Sequence, residues 1–383
     1  MARATITPRY MGRLRLVSQG LLGGGFPGIP GAVRWMTAMQ AQDLGMALWA
    51  VGQRVPGTAA SDVRAALDAG TVVRSWPMRG TLHLVAPEDL RWILVLTSPR
   101  LQRTLTGRHR ELSITADDIS HCRDLAVKAC HGLHAQRGSE GLPGASREEL
   151  FQAFEEAGQA TGAQRGIHLL ACLCQEASLV QGPMAASAVL TAGGRAGVQQ
   201  LFVPFDEWIP TSRDLGREEG IAELLFRYFR SHGPATIKDF CWWSQIPLKE
   251  ARAAFATVQD ALVELPFGGT SYWLSPEVAD MLDGGLPGSR SLLALPGFDE
   301  YLLGYQDRSL VLAPEYAGLV VPGNNGVFKR IIVAGGEVVG TWARTGSGKA
   351  MAAVPEPFAG PLGPAAERSF QAQGRAYVEF MAG

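Results

Sequence analysis

Residues 220–277 read GIAELLFRYFRSHGPATIKDFCWWSQIPLKEARAAFATVQDALVELPFGGTSYWLSPE, and the fold turns on this stretch. Leu224, Leu225, Tyr228 and Phe229 recur at helical spacing, and Gly233-Pro234 stops the helix they define. Thr236 is placed to cap a second helix, IKDFCWWS, and Pro247 to open a third that runs to about Val258. Two strands follow, ALVEL and SYWLS, joined by a loop containing Gly-Gly. Helix, turn, helix and a two-stranded wing make a winged helix.

Working outward, the pattern recurs in looser form. In the first copy SDVRAALDAG (61–70) reads as the last helix and TVVRSWPMRGTLHLV (71–85) as the strands. In the second, SREELFQAFEEAG and GIHLLACLCQEA are helices, LVQGP and VQQLFVPF are strands, and the Gly-rich TAGGRAG (191–197) links the strands. Helix-to-strand junctions near residues 70, 178 and 260 give three tandem units at 1–112, 113–205 and 206–284. The composition changes after residue 285. Asn325-Gly326 and Gly335-Gly336 are hairpin turn signals, VFKRIIV and EVVGTWA read as strands, and PAAERSFQAQGRAYVEFMAG closes the chain as a helix. The expected architecture is mixed α+β: three tandem winged-helix units, then a β-barrel-like domain over 285–383.

The bulk properties set limits. Of 383 residues, 46% are apolar and 19% charged, which points to a well-buried globular protein of several domains. No apolar run approaches the ~20 residues that span a bilayer, and the N-terminus lacks a signal-peptide core. A cytoplasmic location is the expectation. The five cysteines (122, 130, 172, 174 and 241) are odd in number with no CxxC pair, against a disulfide framework. His121-Cys122 and Cys130-His131 fall in a helical run and read as buried thiols beside solvent-facing histidines rather than a metal site. Net charge is −1, yet residues 71–110 hold seven arginines against Glu88 and Asp89. That surplus makes either a phosphate-binding face or an ordinary solvated surface.

Several motifs carry no chemistry here. RTGSGKA (344–350) has Ala343 where a phosphate loop needs its first glycine and Ala350 in place of Ser/Thr. LLGGGFPG (21–28) follows no strand and reads as the stop of the first helix. Neither a nucleophile elbow nor HExxH occurs, and no cofactor is expected. Phe298-Asp299-Glu300-Tyr301 pairs two acids that point to opposite faces of a strand, so one is expected to cap a turn and the other to be solvated.

One further segment, RWMTAMQAQDLGMALWAVGQR (34–54), sets Gln40 and Gln42 in apolar surroundings. On a helix, residues i and i+2 lie about 200° apart and cannot converge; in extended chain they point the same way. GAVRWMTAM and Leu44 to Val51 read as helices, so the pair is expected to project from the junction between them. Either the two amides satisfy backbone groups at a helix break, or they face a ligand.

Four ordered motifs carry a resemblance over nearly the whole chain: QAQD at 40–43, SWPMRGTLHLVAPEDL at 75–90, SHGPAT…DF.WWS at 231–244, and FDEYLLGYQDRS…PGNNGVFKR at 298–330. Together they resemble the bacterial winged-helix DNA glycosylase family of the AlkZ/YcaQ type. That family is built from three tandem winged helices and a C-terminal β-barrel. The resemblance implies a monofunctional DNA glycosylase that hydrolyses the N-glycosidic bond of N7-alkylated guanine in duplex DNA. In its Gln-apolar-Gln branch the lesions are bulky adducts or interstrand crosslinks from natural products, often in self-resistance. The catalytic motif maps onto Gln40, Ala41 and Gln42, with Asp43 a candidate neighbour.

Arg79, Thr81 and His83 are expected on one face of the strand after the first wing, where they grip phosphate, line a lesion pocket or are merely solvated. Arg74, Lys329, Arg330 and Arg344 are further candidates for DNA contact. The expected partner is double-stranded DNA carrying alkylated purines, bound by a monomer. A second reading is a non-catalytic winged-helix DNA-binding protein that regulates or sequesters lesions.

Overall fold

The computed structural model describes residues 5–138, 141–190 and 196–383, and the chain forms a mixed α/β fold. Contacts divide it into two compact units: residues 1–63 with 221–383, and residues 64–220. No helix among the described residues is long and apolar enough to cross a membrane. Residues 191–195 of the Gly-rich link lie outside the described residues.

In the unit of residues 64–220, the strands Val73–Met78 and Thr81–Val85 form a hairpin about Arg79 and Gly80, both at positive φ (54° and 69°), as a tight two-residue turn requires. Leu179–Leu190 and Ala196–Pro204 form the second hairpin. The two hairpins do not stand apart. Val73–Met78 pairs with Leu179–Leu190 at Arg74 and Gln181, giving a four-stranded antiparallel run. The helices Ala116–Arg137, Arg147–Glu156 and Arg165–Gln175 supply Cys122, Cys130, Leu150, Phe154, Leu170 and Cys174 to the core beside the sheet residues Trp76, Leu82, Leu179 and Phe202. Cys122, Cys130, Cys172 and Cys174 are buried, and His121 and His131 exposed, as expected. Burial pushes the Cys122 thiol up to about 11 and those of Cys130 and Cys172 to about 12.

In the other unit, the helices Arg217–His232 (from Ile221 onward), Ile237–Ser244 and Leu248–Val258 precede the hairpin Val263–Phe267 and Thr270–Leu274. Thr236 caps Ile237–Ser244 through a capping box with Asp239, each side chain accepting the other's backbone N–H. Ala235, just before that cap, pairs with Trp273 on the second hairpin strand. The same arrangement recurs in residues 64–220: Ala145 precedes the Ser146/Glu149 capping box and pairs with Phe202. The two segments share this bridge and capping box.

The C-terminal strands correct the expectation of a barrel. Leu292–Leu295, Ile331–Ala334, Glu337–Thr345 and Ala352–Pro357 pair in that order, all antiparallel, and among the described residues they form an open sheet. The outer strands do not pair with each other. Instead the closing helix Pro364–Ala382 lies on the sheet, with Tyr377 edge-on to Trp342 and Trp49, and Phe380 on Trp49. Burying the sheet under a helix protects it without closure. Gly335-Gly336 makes the expected hairpin (φ 57° and 91°), and RTGSGKA spans the turn of another. Asn325-Gly326 does not: it follows the single turn Pro322–Asn324, and strand begins only at Ile331.

Candidate active site

The QAQD segment occupies a break between two helices. Ile29–Met36 ends at Thr37, whose φ of 66° turns the chain out of the helix, and Ala38–Gln40 is extended. Asp43 then caps the next helix, Leu44–Arg54, by accepting the Met46 N–H at 3.1 Å. Ala41 between the glutamines is fully buried, Gln40 is half-buried and Gln42 exposed. This is the expected junction between two helices: Ala38, Met39 and Ala41 are buried, and the chain bends at residues 42–43. The Gln40 backbone is held, but no protein hydrogen bond engages its side-chain amide among the described residues. For Gln40, that disfavours the reading in which the amide satisfies a backbone group at a helix break.

What holds the Gln40 backbone comes from 260 positions away. The Glu300 Oε1 accepts the Gln40 N–H at 3.2 Å, and its Oε2 accepts the Trp243 indole N–H at 2.9 Å. His232 Nε2 stands 3.5 Å from the same Oε2. Glu300 is only 2% exposed, which overturns the expectation that one acid of the pair is solvated. Asp299 does cap, accepting the Tyr301 N–H, but it is also buried against Arg54. The segment is short and helical rather than a strand, so the rule of opposite faces does not apply. Glu300, Trp243 and His232 were missed in the sequence; the adjacent acids of FDEY were the signal.

Arg330 joins this neighbourhood. Its Nε lies 3.1 Å from Met46 Sδ in the first turn after Asp43, and its guanidinium sits over Trp342. Lys329 and Arg344 are exposed. Arg308 stacks between Trp242 and Phe328, 4.9 Å from each ring centre.

The remaining candidates lie in the unit of residues 64–220. Arg79 sits in the turn rather than on the strand; Thr81 and His83 share a strand face. The Arg79 guanidinium is 3.1 Å from His83 Nε2, and His83 Nδ1 is 2.9 Å from the Thr81 carbonyl. A carbonyl only accepts and a guanidinium only donates, so the proton of this buried imidazole is on Nδ1. Arg74 is 9% exposed and donates to Gln181 and Gln200, each at 3.1 Å. Among the described residues no cluster of three or more His, Cys, Asp or Glu side chains has the geometry of a metal site.

The Gln-apolar-Gln segment thus stands at the start of the helix Leu44–Arg54. A family model for AlkZ-like DNA glycosylases matches residues 33–380, so the chain belongs to that family and is a DNA glycosylase. It is 25% identical over 283 residues, 71% of its length and 70% of the relative's, to a Streptomyces sahachiroi protein named interstrand DNA cross-link repair glycosylase. In fold it is similar to the solved structure of Streptomyces sahachiroi DNA glycosylase AlkZ: TM-score 0.78, 21% identity, covering 99% of this chain and 98% of that one.

Proposed function

We propose that this enzyme is a monofunctional glycosylase that hydrolyses the N-glycosidic bond of N7-alkylated guanine in duplex DNA, bulky natural-product adducts and interstrand crosslinks included, with Gln40 and Gln42 as its catalytic residues. The observation that carries the reading is the helix break at residues 37–43, extended over Ala38–Gln40 and bent at residues 42–43, which leaves Gln40 and Gln42 flanking a buried Ala41. The name of the Streptomyces sahachiroi relative, an interstrand DNA cross-link repair glycosylase, supports crosslinks as substrates.

The chemistry suits amides. An N7-alkylguanine is cationic, so cleavage of C1′–N9 returns the bonding pair to the ring and neutralises it without an acid. The sugar becomes oxocarbenium-like, water adds at C1′, and the water's proton passes to solvent. Products are the free alkylated base and an abasic site. Gln40 and Gln42 carbonyl oxygens orient the water and face the developing positive charge. An amide is no base near neutral pH, so its role is positioning and electrostatics. No lysine stands in the motif to carry a lyase step.

In this reading the segments 1–112, 113–205 and 206–284 act as winged helices on DNA; the recurring pairs Ala145–Phe202 and Ala235–Trp273 support it for the second and third. Lys329, Arg330, Arg74, Arg79, Thr81 and His83 serve phosphate or the lesion pocket, Asp43 acts beside the pair through the helix it caps, and the enzyme works as a monomer in the cytoplasm. The test is release of base from duplex DNA carrying 7-methylguanine or a natural-product adduct, scored by alkaline cleavage at the abasic site. Activity falls sharply in Gln40→Ala and Gln42→Ala while DNA binding persists. Unchanged activity in both removes the catalytic assignment.

A further inference from the structure

We propose that Glu300 is a positioning residue for glycosidic cleavage, a proposal that rests on the catalytic reading of Gln40. The carboxylate ties three segments together: the strand Ala38–Gln40, the helix Ile237–Ser244 through Trp243, and the 299–300 turn. Burying a carboxylate is costly unless it is paired and hydrogen-bonded. The two adjacent acids divide the work. Asp299 spends its charge on Arg54, while Glu300 directs its oxygens at the Gln40 N–H and the Trp243 indole.

His232 stands beside the carboxylate. Ser231 donates its hydroxyl hydrogen to the Arg227 carbonyl at 2.8 Å, so His232 Nδ1 donates to Ser231 Oγ, also at 2.8 Å. The ring is stacked on Tyr228, 4.8 Å between centres, and the Tyr305 hydroxyl donates to the His232 carbonyl. The imidazole is thereby locked with Nε2 toward Glu300. Glu300 acts through Gln40 in two ways. Its hydrogen bond fixes the peptide that carries the Gln40 side chain, and its charge lies behind the motif, where a cationic sugar is favoured over a neutral one.

The experiment separates that role from a purely structural one. Glu300→Gln keeps the size and an acceptor for Gln40 while removing the charge. Its single-turnover release of 7-methylguanine is expected to fall about 10- to 100-fold. Binding is measured to duplexes in which the target sugar is a protonated pyrrolidine or a neutral tetrahydrofuran. The preference for the cationic duplex falls in step with the rate, and tetrahydrofuran binding stays at the wild-type level. A wild-type rate, or equal weakening toward both duplexes, overturns the proposal. If Glu300→Gln does not fold, Glu300→Asp decides: it keeps the cationic preference if the proposal holds, and loss of that preference overturns it. Loss of activity in Gln40→Ala and Gln42→Ala with full activity in Glu300→Gln defeats this proposal alone; full activity in the glutamine variants defeats the reading beneath it.

Discussion

Arg54 meets Asp299 through both arms of its guanidinium, Nη1 to Oδ2 at 2.9 Å and Nη2 to Oδ1 at 3.0 Å, with both side chains out of solvent. Nη1 also donates to the Ala50 carbonyl and Nη2 to Gln19. The pair pins the end of the helix that Asp43 begins to the turn that presents Glu300. Removing one partner leaves a buried charge uncompensated, so Arg54→Ala or Asp299→Ala is expected to lose about 3–5 kcal/mol in denaturant unfolding. The pair Arg54→Met with Asp299→Leu is expected to recover part of that loss, because neither charge is then stranded.

The glutamines differ from such residues in what they cost the fold. Gln40→Ala and Gln42→Ala are each expected to lower single-turnover base release by about 10²–10³-fold, the scale of removing one oriented polar group from a site of developing charge. Thermal unfolding of both variants should stay close to wild type.

Asp43 is a cap, and a cap can be exchanged. Asparagine caps as well as aspartate, whereas alanine loses about 1 kcal/mol. Asp43→Asn is therefore expected to retain stability and base release, and Asp43→Ala to lose stability in urea unfolding. Activity lost in the asparagine variant would give Asp43 a part in the chemistry.

Gly304 marks how tightly the support behind Gln40 is packed. A Cβ there would meet His232 Cδ2 at 2.6 Å and the Glu300 carbonyl at 2.7 Å, neither of which can swing aside. Gly304→Ala is expected to cost about 1–3 kcal/mol through overpacking and to slow base release by displacing Glu300. Calorimetry and the release assay on one preparation check both.

Acid should loosen the capping boxes of residues 64–220. Burial alone would push the Asp118 and Glu149 carboxyls up. Hydrogen bonds from Thr115 and Gln159 with the Arg165 charge, and from Ser146 and Arg137, more than reverse it and hold both below the usual range. Their stabilisation is thus present above the unfolded-state values of about 4 and lost as pH falls through the lower folded values. Asp118→Asn and Glu149→Gln should flatten the decline of unfolding midpoint with pH below about 4.

Much of the local structure was legible because its causes are local. Thr236 and Asp239 stand three apart, as a capping box demands, and Gly335-Gly336 can only be a tight turn. The break at QAQ could be read from the helices on both sides; that the chain is extended at Ala38–Gln40 was left open in the sequence. Glu300 could not. Its burial depends on Gln40 and Trp243, and no periodicity near residue 300 encodes a partner in another segment.

By itself, the sequence determined most of the helices, caps and hairpins and the helix break that carries the two glutamines, since propensity, capping and turn chemistry act over a few residues. Tertiary structure alone decided that two hairpins join in one sheet at Arg74 and Gln181, that the C-terminal strands stay open under Pro364–Ala382, and that Glu300 turns inward to hold Gln40. Those outcomes rest on which distant surfaces bury each other and which buried polar groups find partners. Both are settled only when the whole chain packs.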